Sequence, residues 1–203
     1  VLMAVNISAR NLLEPELADK VARLLLQAGL PPALLKLEVT ESAIVAEPER
    51  ALAALERLVD LGLTASVDDF GTGYSSLTRL RAMPVDEVKI DRSFVRGLGQ
   101  GSDDLAIVRA VINLGHDLGL RVVAEGVEDQ ESWEVLQDLG CDLVQGYFLA
   151  RPMPAEAMTP WLRHQLASFT TRLRPEGKRP GDAAPTTPGH PLDGEPGRRA
   201  QRQ

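Results

Sequence analysis

The chain has 203 residues, 44% hydrophobic and 25% charged, and a formal net charge of −7. That is the make-up of one soluble globular domain with a sizeable core. The acidic balance excludes a protein that grips long nucleic acid through a basic face, because such affinity comes from Lys and Arg neutralising phosphates. The apolar runs, such as Leu120–Ala124, fall far short of the roughly 18 to 20 residues that span a bilayer, so no membrane contact is expected from this segment. The single Cys141 suits a reducing compartment, and the cytoplasm is the expected location, with any membrane tether left to upstream segments.

Short β-branched runs alternate with stretches of helical period. Strands are predicted at Leu2–Ile7, Leu35–Val39, Thr64–Asp68, Glu87–Ile90, Arg121–Ala124 and Leu143–Gln145. Between them, helices are predicted at Glu16–Gln27, Glu49–Leu61, Asp103–Leu118 and Glu131–Leu139, with a glycine stop at or just past the end of each. Six such βα repeats indicate an α/β fold built on a parallel sheet. Residues 1–170 are read as this domain. Residues 171–203 are read as a disordered Pro/Gly/Arg-rich tail, since residues 175–203 hold six Pro and five Gly and almost no large apolar side chain.

The polar residues gather at the C-terminal ends of the predicted strands: Asn6, then Glu38 and Glu41, Asp68 and Asp69, Lys89 and Asp91, Glu125 and Glu128, and Gln145. In a (β/α) barrel, residues at that face converge on one pocket. Buried carboxylates in such number would repel one another unless cations sat among them. Oxygen donors without nearby His or Cys favour Mg²⁺ or Mn²⁺ over zinc. Glu41 and Glu128 can also be read as acids favoured near helix N-termini. His116, His164 and His190 pair with no Ser or Cys, which argues against a nucleophilic triad.

The runs Asn6-Ile7-Ser8, Glu38-Val39-Thr40-Glu41-Ser42, Asp68-Asp69-Phe70-Gly71-Thr72-Gly73-Tyr74-Ser75-Ser76-Leu77, Val88-Lys89-Ile90-Asp91, Ala124-Glu125-Gly126-Val127-Glu128 and Gln145-Gly146-Tyr147 resemble, in order, the motif series of the EAL domain family. The resemblance implies a TIM-type (β/α) barrel that hydrolyses cyclic di-GMP to linear pGpG with two Mg²⁺ or Mn²⁺ ions in bacterial second-messenger signalling. It implies Asn6, Glu38 and Asp68 as ligands of the first ion. Asp68 would bridge to a second ion held by Asp69, with Glu125 acting on it directly or through water. Lys89, supported by Asp91, would orient the attacking water, Gln145 would line the site, and Glu41 would hold the loop after Asp69.

The family's Glu-Xaa-Leu motif, which lies on an earlier strand, and the Arg near it are not among these runs. Six βα units of eight, in a fold of about 250 residues, lead to the expectation of an incomplete barrel with roughly 60 to 80 residues upstream. The chain made alone is therefore expected to be weak or inactive. The alternative reading is a non-catalytic EAL-like receptor or regulatory module for cyclic di-GMP. The resemblance also leaves room for a homodimer and for an upstream sensory or diguanylate cyclase domain.

Overall fold

The computed structural model describes residues 1–72, 77–98 and 103–172. Val1–Pro152 forms one compact unit and Met153–Gln203 a second. The first unit holds six strands: β1 (Met3–Ile7), β2 (Leu35–Thr40), β3 (Thr64–Phe70), β4 (Glu87–Ile90), β5 (Arg121–Glu125) and β6 (Leu143–Gln145). They form one parallel sheet whose spatial order follows the chain from β1 to β6. A doubly wound sheet reverses its strand order at a switch point, whereas a barrel adds each strand beside the last. The unreversed order is that of an incomplete (β/α) barrel of six units.

The crossovers are α1 (Ala9–Leu12), α2 (Leu17–Ala28), α3 (Glu41–Ala46), α4 (Pro48–Asp60), α5 (Leu77–Ala82), α6 (Arg92–Val95), α7 (Asp104–Asp117) and α8 (Gln130–Asp138). The four longer helices lie within about a residue of their predicted bounds. Local chemistry sets their ends: Pro48 opens α4, where its missing N–H would have no partner in any case. Asp129 caps α8 by accepting from the Ser132 N–H at 2.7 Å. The short helices α1, α3, α5 and α6 carry too few turns to show a period and were not expected from the sequence. In the second unit lies α9 (Ala155–Arg172), also unexpected because Pro160 sits inside it. Apart from Thr171 and Arg172, which close α9, the expected tail lies outside the described residues, as do Gly73–Ser76 of the longest motif.

Alternation along the strands divides the sheet into two unlike faces. Leu37, Val39, Val67, Val88, Ile90, Val122 and Ala124 are buried in one core with Leu55 and Leu58 of α4 and Val108 and Ile112 of α7. Full burial of each large side chain there is worth about 1.5–3 kcal/mol. The residues between them face the other way: Lys36 and Glu38 on β2, Ser66 on β3, and Glu87 and Lys89 on β4 are all buried. Barrel interiors are ordinarily filled by Val, Ile and Leu. A buried charged face in their place points to a function. Behind β5, the Cys141 Sγ lies 3.4 and 3.3 Å from the carbonyls of Val122 and Leu143, to either of which its S–H can donate, and burial pushes its pKa up to about 11. Among the described residues no helix is long and apolar enough to cross a membrane.

Candidate active and metal site

Lys89, only 2% exposed, is the centre of the upper end of the inward face. Its Nζ lies 2.9 Å from Glu38 Oε2 and 3.2 Å from Asp68 Oδ1, and it is ion-paired with Glu125 as well. One ammonium thus gathers carboxylates from β2, β3 and β5. Burial works against the charged lysine, but the bonds to Glu125 and Glu38 and the charge of Asp68 outweigh it and hold its pKa above the ordinary lysine value. Glu125 is shifted above the usual carboxylate range by burial, which its contact with Lys89 only partly offsets.

In a regular strand Asp68 and Asp69 would point to opposite faces. The β3–β4 register shifts between Val67 and Phe70, and Asp69 takes φ 55°, in the left-handed region that Asp tolerates better than most residues. This irregular turn brings one carboxylate oxygen from each of Asp68, Asp69 and Glu125 within 4.8 Å of one another. Burial, the charge of Asp68 and a hydrogen bond with Asp91 raise the pKa of Asp69. Asp91 moves the other way: burial opposes the change, but its bonds from the Ser93 hydroxyl and backbone N–H lower it. Asp91 also caps α6 through that Ser93 N–H at 2.9 Å.

Glu41, the first residue of α3 and 3% exposed, accepts from the Gly71 N–H at 3.4 Å. Among the described residues its other oxygen is buried without a partner. Gly71 has φ 97°, and a Cβ there would approach Phe94 to 3.2 Å, so glycine is what lets the chain turn at this point. Asn6 is the register partner of Glu38, and Gln145 of Glu125. Gly146 lies so close to Val127 that a Cβ would fall 2.1 Å from the Val127 carbonyl. Val127 in turn donates to the Gln145 carbonyl at 3.1 Å and accepts from the Phe148 N–H at 3.0 Å. The glycine after Gln145 thus lets two backbones interlock beside Glu125.

Glu38, Asp68, Asp69 and Glu125 set four carboxylates against one ammonium, with oxygen as the only donor atom. Burial first, and the neighbouring carboxylates after it, raise the pKa of both Asp69 and Glu125. The donor set fits a hard divalent cation. Glu128, by contrast, turns to Arg96 at 2.9 Å.

The EAL domain family model matches residues 1–152. The chain belongs to the EAL domain family. It is 48% identical over 156 residues to MucR of Pseudomonas aeruginosa, named a bifunctional diguanylate cyclase/cyclic di-GMP phosphodiesterase; the match covers 77% of this chain and 23% of that protein. A solved structure of PaMucR phosphodiesterase in complex with c-di-GMP superposes with a TM-score of 0.75, covering 77% of this chain and 64% of that one. The EAL domain of Mycobacterium smegmatis DcpA gives a TM-score of 0.76 at 40% identity, covering 81% and 74%. BlrP1 of Klebsiella pneumoniae, solved as a calcium/cy-diGMP complex, gives 0.70 at 36% identity, covering 74% and 39%. The chain spans about a fifth to a quarter of the length of the curated relatives it matches.

Sequence reasoning missed two arginines of this EAL domain. Arg92 and Arg96 line a cavity of about 180 Å³ together with Glu125, Glu128, Gln145 and Tyr147. Their four-residue separation beside Asp91 is the spacing of one helical turn, and that was the available signal.

Proposed function

We propose that the chain is the hydrolytic core of a bacterial cyclic di-GMP phosphodiesterase, releasing linear pGpG. The observation that carries this reading is the crowding of four carboxylates around buried Lys89 at the C-terminal ends of consecutive parallel strands, the face where barrels of this type place their chemistry. The EAL family relationship supports the substrate.

In this reading Asn6, Glu38 and Asp68 hold a first Mg²⁺ or Mn²⁺ ion, and Asp68, Asp69 and Glu125 hold a second. When bound, such ions acidify water and stabilise charge on phosphoryl oxygen. The chain's own side chains do the rest. Lys89, buried among Glu38, Asp68 and Glu125, is placed to orient the water attacking phosphorus. Asp91 supports it by restraining Asp69. Glu41 holds the start of the loop after Asp69, and Gln145 presents a neutral amide beside Glu125. Water adds to phosphorus through its oxygen, the ester bond to the ribose 3′ oxygen breaks, that oxygen takes up a proton to leave as a hydroxyl in place of the one the water loses, and the ring-opened dinucleotide leaves.

The test is pGpG release, followed by chromatography, from the full-length protein with Mg²⁺ or Mn²⁺ and with chelator. Metal-dependent release is expected. Binding of cyclic di-GMP without release under either ion would overturn the hydrolytic reading in favour of a receptor.

A further inference from the structure

Below the Lys89 cluster, the inward face carries a second charged group. Lys36 on β2 donates to Glu87 Oε1 on β4 at 2.6 Å, and Glu87 Oε2 lies 3.4 Å from an Arg121 guanidinium nitrogen on β5. Lys36 and Glu87 are 5% and 2% exposed, while Arg121 lies at the exposed start of its strand. Lys36 stands two residues before Glu38 on the same strand, and Glu87 two before Lys89; Arg121 stands four before Glu125. Across β2, β4 and β5 the upper group reads negative, positive, negative. The lower group reads positive, negative, positive. Ser66 on β3, wholly buried, is the register partner of both Glu38 and Glu87, so only a small side chain stands where the two ion pairs cross that strand.

Two physical facts give this inversion a meaning. Replacing a buried ion pair by apolar residues is often neutral or stabilising, so stability alone does not account for it. The inward and outward alternation already forbids a one-residue slip between strands, because a slip would turn charges into the apolar core. It does not forbid a slip of two, which keeps every side chain on its own face. The inverted charges do forbid it: Lys36 now meets Glu87 and Glu38 meets Lys89, and a two-residue slip of β4 would bring Lys89 onto Lys36 in one direction or Glu87 onto Glu38 in the other.

We infer that Lys36, Glu87 and Arg121 are positioning residues, which fix the height at which Glu38 and Lys89 meet and so the aim of the carboxylates offered to a divalent cation. The kinetic part of this inference rests on the phosphodiesterase reading; the metal-binding part does not.

The test uses the full-length protein and the double variant Lys36→Met/Glu87→Met, which removes no net charge. Thermal melting is expected at or above the wild-type temperature. Mn²⁺ affinity, titrated by electron paramagnetic resonance, is expected to fall about tenfold, the scale seen when groups behind metal ligands are removed. On the same basis kcat should fall about tenfold, with KM within about twofold. Unchanged Mn²⁺ affinity and kcat in the folded double variant would overturn the inference. If that variant does not fold, Lys36→Glu/Glu87→Lys serves: it keeps a buried pair but gives both layers the same polarity. The same loss of Mn²⁺ affinity is expected there, and wild-type affinity overturns the inference. A wild-type protein that binds Mn²⁺ yet releases no pGpG would count against the proposed function alone, since the Mn²⁺ comparison stands without it.

Discussion

At the C-terminal ends of the strands, burial and crowding hold Asp69 and Glu125 above the usual carboxylate range. At the N-terminal end, just before β6, burial also opposes ionisation of Asp142, yet its pKa is lowered. The difference lies in the donors. Asp142 accepts from the Val122 N–H at 2.8 Å and lies 2.9 Å from His116 Nε2. Its neighbour at that end, Asp86, accepts from the Ala65 N–H at 3.3 Å. Carboxylates at the lower end are met by groups of the chain itself, whereas those at the upper end share Lys89 and remain in excess. An acid shifted down by its donors contributes to folding; acids shifted up by burial and crowding do not, which supports the proposed cation site.

That contrast can be broken in steps, from the site outward. Asp68→Asn in the full-length protein removes the charge shared by both proposed ions, and pGpG release should fall by several orders of magnitude; more than a tenth of wild-type turnover would remove Asp68 from that role. Lys89→Ala should lower kcat on the order of 10² to 10⁴-fold. Its effect on Mn²⁺ affinity should be smaller, and equal losses in the two would show that Lys89 acts chiefly by holding the ligands. Glu41→Ala takes away the acceptor for the Gly71 N–H and should cost about tenfold in kcat. Glu41→Gln, which can still accept there, should retain most of the activity.

The smallest effect belongs to the other end. Asp142→Asn should leave turnover unchanged and lower the melting temperature by a few degrees. Because the folded pKa of Asp142 is depressed, its contribution is fully present above the ordinary aspartate value of about 3.9 and fades as pH falls below it. Melting curves of wild type and variant should therefore converge in acid. A gap that stays constant down to pH 2 would assign the effect to lost packing instead of charge.

Much of this was legible before any coordinates. The β-branched runs place β4 and β6 at their observed bounds, and the glycine stops place the longer helices, because strands and helices of several turns write their period into the sequence. Lys89 between Val88 and Ile90 announces an inward lysine by alternation alone. The helices of four to six residues leave no such period, and Pro160 masks α9. The left-handed Asp69 and the shifted β3–β4 register that draw Asp68 and Asp69 together are backbone events without a residue signature. Lys36 and Glu87 lie 51 residues apart, and only the sheet register reveals that they meet.

The hydrogen-bonded Cys141 has a practical consequence. A thiol whose pKa burial raises to about 11 carries almost no thiolate at neutral pH, and thiolate is the form that attacks maleimides and disulfides. Against that quiet background, a cysteine introduced on the solvent side of α8 or at Tyr147 should take a spin label or fluorophore at one place. The native chain should take up less than a tenth of an equivalent in the same reaction. Distances read from such labels could then follow the loop beside Glu125 as cyclic di-GMP and Mn²⁺ are added.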